Sequence, residues 1–391
     1  MKNISHTHNC YGCGVCSMAC GKNIIRMKLN PDGFYEPYIT DENLCVNCGL
    51  CLDVCAFNKN ELASQPQLTM AYGGWSLDEN VRRTCSSGGV GFEVAKYLLS
   101  EGYKIIAVRY NIDKKRAEHF IASSIDELLE SKGSKYIQSY TLDAFEQISR
   151  KEKYLFIGTP CQVDSFRHYI RKFRIENNFI LMDFFCHGVP SYWLWAKYLK
   201  TIEGKIVDIS EVHWRSKTHG WYDSWAMKIV GKSYDRNNIV KVERRATEGD
   251  LFYKFFLGDL CLGSACYDQC KYKGLKSSAD IRLGDLWGSA YQNNAEGVSA
   301  VVVLTKKGQE IIEKCSITKE RHAPKVVMEG QMKKCPNRPD IFSYVQSSLK
   351  DENISLEDIA PKVINFLKYE RIKRLLKNPI ALIKKIYKRY I

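Results

Sequence analysis

The residues with the most chemistry to offer are cysteines near the start of the chain. The stretch CYGCGVCSMAC sets Cys10, Cys13, Cys16 and Cys20 in the spacing C-x2-C-x2-C-x3-C, and CVNCGLCLDVC repeats it at Cys45, Cys48, Cys51 and Cys55. Three closely spaced thiolates wrap one iron–sulfur cubane, and the fourth ligand crosses over from the other repeat. The spacing therefore assigns Cys10, Cys13, Cys16 and Cys55 to one [4Fe-4S] cluster, and Cys45, Cys48, Cys51 and Cys20 to a second. Gly12, Gly14 and Gly49 let the backbone pass close to the inorganic sulfurs. Paired C-x2-C steps also hold zinc, but four zinc ligands would leave the regular third and fourth cysteines unexplained. The proline that usually follows such a run is replaced by Gly21 and Ala56, which bears on loop stiffness rather than ligation. His6 and His8, just upstream, read as solvated residues.

The chain has 391 residues, sixteen of them cysteine, and 45% are hydrophobic. It is long enough for two or three domains with sizeable cores. The opening MKNISHTHNC lacks an apolar run, and FILMDFF and VSAVVVL are strand-sized, so the expectation is a cytoplasmic chain with neither secretory leader nor membrane span. Reduced thiols in that compartment favour metal binding over disulfides. The net charge of +14 is dispersed. Residues 1–60 carry five basic and five acidic residues, while residues 337–391 carry twelve and six. No long basic run marks the middle of the chain, and no nucleic-acid partner is expected.

Beyond the cysteine repeat, short apolar strands alternate with helical patterns, the mark of an α/β region. Three strand-to-helix junctions stand out as cofactor walls. Ser86-Ser87-Gly88-Gly89 opens a helix bearing Phe92, Ala95 and Leu98. Thr159-Pro160-Cys161-Gln162 follows the strand YLFIG. Cys186-His187-Gly188 follows FILMDFF and leads into a Trp-rich helix. Ligands in open α/β sheets bind outside the carboxyl ends of strands, and helix N-termini offer free N–H groups to phosphate. Residues 206–260 read as more β-rich. Cys261, Cys266 and Cys270 then fall within ten residues, which suggests a ligand set.

These segments carry a resemblance. SSGGVGFEVAKYLL, GSKYIQS, GTPCQVDSFR, FCHGVPSYW, ACYDQCKYKG, SADIRLGDLWG and GVSAVVVLTKKG, in this order, resemble the coenzyme F420 hydrogenase/dehydrogenase beta-subunit family, here fused to a bacterial-type 2[4Fe-4S] ferredoxin domain. The resemblance implies FAD beside a [4Fe-4S] cluster. It places Ser86, Ser87, Gly88, Gly89, Gly133, Ser134, Lys135 and Tyr136 along the flavin, with Lys135 able to pair with a phosphate or with the reduced flavin's charge. Asp285 and Trp287 of GDLWG would form a nearby turn. It also implies a third cluster on Cys161, Cys186, Cys266 and Cys270. Because three residues instead of the expected two separate Cys266 from Cys270, Cys261 stays a rival ligand. His187 is the candidate proton donor, with a hydrogen-bonded structural histidine as the alternative. Cys85, Cys315 and Cys335 are left as ordinary thiols.

The expected fold is a multidomain α+β or α/β chain. A ferredoxin-type domain (1–60) and a linker (61–84) precede two family segments (85–150 and 151–335) that form a flavin-binding α/β domain with an added β-rich portion. A basic helical tail (336–391) follows. Its end, KYERIKRLLKNPIALIKKIYKRYI, reads as two helices divided at Asn378-Pro379, which dock on a protein surface or lie peripherally on the inner face of the membrane. The expected function is an iron–sulfur flavoprotein oxidoreductase moving electrons between clusters and FAD, then to or from a hydride carrier such as coenzyme F420 or another small molecule. The alternatives are a ferredoxin-linked reductase of surface-polysaccharide or small-molecule metabolism, and a non-enzymatic relay subunit. A redox partner protein or ferredoxin would supply or remove the electrons.

Overall fold

The computed structural model describes residues 2–377. The first strands, β1 (Ile25–Leu29) and β2 (Tyr35–Ile39), form an antiparallel hairpin, with Ile25 opposite Ile39. It lies with the short helices α1 (Val15–Ala19) and α2 (Leu50–Asp53), which follow the two cysteine loops. A small apolar core of Ile4, Ile24, Ile25 and four cysteine side chains, Cys16, Cys51, Cys55 and Cys20, holds this module together.

The rest of the chain is organised by one mixed sheet of nine strands: β3 (Met70–Ser76), β4 (Lys104–Asn111), β5 (Arg116–Ala122), β6 (Ser139–Tyr140), β7 (Tyr154–Ile157), β8 (Phe179–Phe184), β12 (Ile281–Asp285), β13 (Ser299–Val303) and β14 (Ile317–His322). Their order across the sheet is β14-β3-β13-β12-β8-β7-β4-β5-β6. The central pairs β12/β8, β8/β7 and β7/β4 are parallel, and antiparallel strands flank them. β7 and β8 are buried along nearly their whole length, as expected of strands covered on both faces, which is why they read as continuous apolar runs. One face is covered by helix α3 (Val90–Ser100), and the other by α4 (Pro160–Lys172). The β-rich portion is a separate antiparallel sheet, β9 (Val207–His213), β10 (Ala226–Lys232) and β11 (Ile239–Arg245), with β10 in the middle.

Three expected boundaries shift. Residues 61–84 are not a loose linker, because β3 lies inside the large sheet between β13 and β14. Gly73 and Gly74 had weakened its strand pattern. The division at residue 150 is no structural boundary either, since β4 pairs with β7 across it. Nor does the region after residue 336 begin as a tail. Ile341, which caps helix α8 (Phe342–Lys350), Val345 and Leu349 on it, and Leu356, Ile359 and Val363 on α9 (Leu356–Lys377) are buried against the aromatic core formed by α5 (Tyr192–Glu203) and α6 (Leu251–Leu257). The break at Asn378-Pro379 and the residues after it lie outside the described residues. No helix among the described residues is long and apolar enough to cross a membrane.

Candidate functional site

The two cysteine repeats fold alike. Gly14 (φ 75°) and Gly49 (φ 74°) occupy the left-handed region just before α1 and α2, a conformation open to glycine at little cost. Cys10, Cys13, Cys16 and Cys55 line one cavity together with Ile4, Tyr11 and Met27, so a thiol of the second repeat shares it with three of the first. Among the described residues no three His, Cys, Asp or Glu side chains converge as ligands of a single ion would. Thiolates around a cubane stand farther apart than those around one zinc ion. Burial pushes all four thiols up, Cys55 to about 11. Cys51 lies near Cys20 and Cys48, and Asn3 Nδ2 donates to Cys45 Sγ at 3.5 Å, which gathers the second set.

The first set faces the body of the protein. Thr141 Oγ1 donates to Cys13 O (3.1 Å), Gln138 Nε2 donates to Tyr11 O (3.2 Å), and Ser165 Oγ on α4 accepts from Ala56 N (3.2 Å). Lys271 Nζ reaches the carbonyls of Ala56, Lys59 and Glu61 (2.8–3.0 Å), and Asp164, wholly buried, accepts from Ala63 N and Tyr272 Oη. The second set faces outward. Cys48 is exposed, flanked by Leu44 (55% exposed) and Val46 (62%).

Behind the first set lies a third cysteine group assembled from distant segments. Cys161 starts α4, Cys186 follows β8, and Cys266 and Cys270 belong to the turn of helix α7 (Ser264–Asp268). Cys161 is a close electrostatic neighbour of Cys186, Cys266 and also Cys13, and Cys186 of Cys270. Burial raises the thiols of Cys161, Cys186 and Cys266, the last to about 12. Tyr11, next to Cys10, donates its hydroxyl to Gln269 O (2.7 Å), next to Cys270, and packs edge-on against Tyr272 at 5.7 Å. Cys261 is not with them: it sits fully buried in the aromatic core. Thr159 and Gln162 form a capping box with Pro160 in the first turn, and Thr159 Oγ1 lies 3.2 Å from Cys161 Sγ, so this loop belongs to the cysteine group.

The remaining sequence-selected residues gather at a second place. Ser134 N and Oγ contact Ser86 Oγ at 2.8 and 3.0 Å, joining the Gly133–Tyr136 loop to the Ser86–Gly89 turn. Gly89 (φ 85°) starts α3 without a side-chain cap. Gly88 is pressed so close to Gly74 and Ser299 that a side chain would collide with backbone. Arg215 Nη1 donates to Tyr136 Oη (3.1 Å) and Asp285 Oδ2 (2.7 Å), and Trp221 Nε1 donates to Asp285 Oδ1 (3.0 Å). Trp287 stacks on Trp221 at 4.8 Å, and Trp225 stacks on Tyr136 at 5.1 Å. An uncapped helix start beside flat aromatic faces is the kind of surface a phosphate-bearing planar cofactor would use.

One expected role changes. The Lys135 amine, pushed down to about 7 by burial, donates to the carbonyls of Glu130, Ser131 and Lys132, closing the short helix Ile125–Leu129 instead of facing a phosphate. His187 Nε2 faces Asp259 Oδ1 (2.7 Å) and Phe256 O (3.2 Å), as in the alternative of a hydrogen-bonded structural histidine. Lys217 and Arg215 had been overlooked. Lys217 Nζ ties the carbonyls of Arg82, Ser87 and Glu296 together at 2.6–2.8 Å. The only hint was the run of Trp214, Trp221 and Trp225 around them.

Known protein families account for most of this chain. Residues 9–59 match a 4Fe-4S dicluster domain. Residues 71–146 and 151–326 match the N-terminal and C-terminal segments of the coenzyme F420 hydrogenase/dehydrogenase beta subunit. The chain belongs to that family. With its dicluster domain, this F420 hydrogenase/dehydrogenase beta-subunit relative is an iron–sulfur electron-transfer oxidoreductase. No curated protein matches it. Among solved structures, it is similar to a chain of the F420-reducing [NiFe] hydrogenase complex from Methanosarcina barkeri, with 17% identity, coverage of 78% of this chain and 94% of that one, and a TM-score of 0.43.

Proposed function

We propose that the protein passes electrons between an external carrier and a flavin through three [4Fe-4S] clusters, the flavin exchanging them with a hydride carrier such as coenzyme F420 or another reducible small molecule. The observation that carries this reading is the succession of cysteine groups. The exposed set at Cys48 adjoins the buried set at Cys13, and Cys13 adjoins Cys161. The external carrier, a ferredoxin or other redox protein, docks at the Leu44–Val46–Cys48 edge. Cys10, Cys13, Cys16 and Cys55 hold the inner cluster, Cys45, Cys48, Cys51 and Cys20 the outer one, and Cys161, Cys186, Cys266 and Cys270 the third.

When bound, FAD supplies the conversion between one-electron and two-electron steps. The Ser86–Gly89 turn and the start of α3 receive its phosphates, while Tyr136 and Trp287 offer the faces against which its ring lies. Arg215 and Asp285 fix Tyr136 and Trp221 in place, and Lys217 holds the Ser87 carbonyl so that the turn keeps its shape.

Anaerobic purification followed by iron, sulfide and flavin analysis tests this. About twelve iron, twelve sulfide and one FAD per chain are expected. Cys161→Ala should lose about four iron. A reconstituted protein that takes up clusters but no flavin would reduce the chain to a relay.

A further inference from the structure

Five cysteines, not four, meet at the third group. The Cys335 thiol donates to Cys270 O at 3.1 Å. Lys273, whose ammonium donates to the carbonyls of Cys186 (2.8 Å) and His187 (3.0 Å), is the shared cationic neighbour of Cys186, Cys266 and Cys335. The segment bearing Cys335 is also pinned to the turn that carries Cys266 and Cys270. Arg338 pairs with Asp268, and its guanidinium lies over Tyr267 (5.5 Å) and Phe342 (5.0 Å). Tyr267 and Asp268 are residues of that turn itself, and Tyr267 meets Phe342 edge-on at 5.5 Å. Two features of the sequence point the same way. Cys266 and Cys270 stand one residue farther apart than a C-x2-C pair, and Cys335-Pro336 is the Cys-Pro step that closes ferredoxin-type runs.

We propose that Cys335 is a reserve ligand of the third cluster, placed to take over the iron held by Cys270. The inference rests on the three-cluster reading above. A cubane takes one thiolate per iron, so one of five thiols stays protonated. In the exchange, the bond from iron to the Cys270 sulfur breaks, a bond from the same iron to the Cys335 sulfur forms, and the Cys335 proton passes to Cys270. No electron is gained or lost. Cys270 and Cys335 are both partly exposed, and the reserve keeps the cluster in place when the Cys270 ligand is lost.

Anaerobic alkylation of the reconstituted wild-type protein with iodoacetamide, read by peptide mass spectrometry, should label Cys335 and spare Cys270. In Cys270→Ala the iron content should stay unchanged, Cys335 should become protected, and the cluster's electron paramagnetic resonance spectrum should shift. Cys270→Ala/Cys335→Ala should lose about four iron. Loss of that iron in Cys270→Ala alone, its retention in the double variant, or labelling of Cys270 in the wild type would overturn the proposal. Unchanged iron in Cys161→Ala would instead remove the third cluster itself. The wild-type labelling pattern needs no substitution and stands even where a variant fails to fold.

Discussion

The two halves of the N-terminal module share a sequence pattern and a backbone, yet they live in different surroundings. At the first repeat, a side chain added to Gly14 would collide with Thr141 Oγ1, and one added to Gly12 would collide with Gln138 and Tyr35. At the second repeat, a side chain added to Gly49 would meet nothing within 4 Å. Cys13 is buried, whereas its counterpart Cys48 is exposed. Duplicated local chemistry thus acquires direction from packing. One half is embedded against α4 and the third cysteine group, and the other is left open to a partner. A free ferredoxin exposes both halves to solvent; here one has become interior.

Removal of iron gives the largest contrast. Anaerobic treatment with a chelator or mild oxidant should release about four iron quickly, from the Cys48 side, and the rest far more slowly. Iron release in a single phase would mean that the body does not shield the inner half. Gly14→Ala and Gly49→Ala sharpen the same point. Both place alanine in the left-handed region, at about 1–2 kcal/mol. Gly14→Ala adds a steric penalty against Thr141 of about 1–3 kcal/mol. Thermal unfolding of the two holo variants should therefore differ clearly, with Gly14→Ala the less stable. Equal losses would show that the contact with Thr141 gives way freely.

The cysteine repeat was legible because its ligands are local in sequence and their spacing is dictated by the cubane. The inner-versus-outer distinction was not, because it depends on Thr141, Gln138 and Ser165, residues over a hundred positions away with no motif of their own. The same holds farther along. Cys161 and Cys186 were recognisable at the ends of apolar strands, and Cys266 and Cys270 by proximity in sequence. Cys335 passed as an ordinary thiol because it arrives from 65 residues beyond Cys270. Lys135 was misassigned for the opposite reason. A lysine beside a glycine and a serine suggests phosphate, and only the fold shows the end of the helix Ile125–Leu129 accepting its protons first. The apolar residues of α8 and α9 recur at helical spacing, but the basic residues among them made the region read as a tail.

The outer half can also be tested at its surface. Val46 is 62% exposed, so Val46→Lys should change stability by no more than about 0.5 kcal/mol. If this edge is where an electron carrier docks, the added charge should raise the KM for that carrier, with kcat and flavin content unchanged. A fall in kcat at unchanged KM would place the docking surface elsewhere.

A further test lies at the seam between the halves and the body. Tyr11→Phe keeps the ring against Tyr272 but removes the hydroxyl that donates to Gln269 O, a loss of about 1 kcal/mol in stability. That hydrogen bond completes a continuous path from the Cys10 loop to the Cys270 loop, so the variant should also slow electron passage between the inner and third clusters after flash reduction, with iron content intact. Tyr11→Leu removes the ring as well and should slow it further. If both variants transfer at the wild-type rate, the inner half is coupled to the third group by the proximity of Cys13 to Cys161 alone, and Tyr11 is only a fastener.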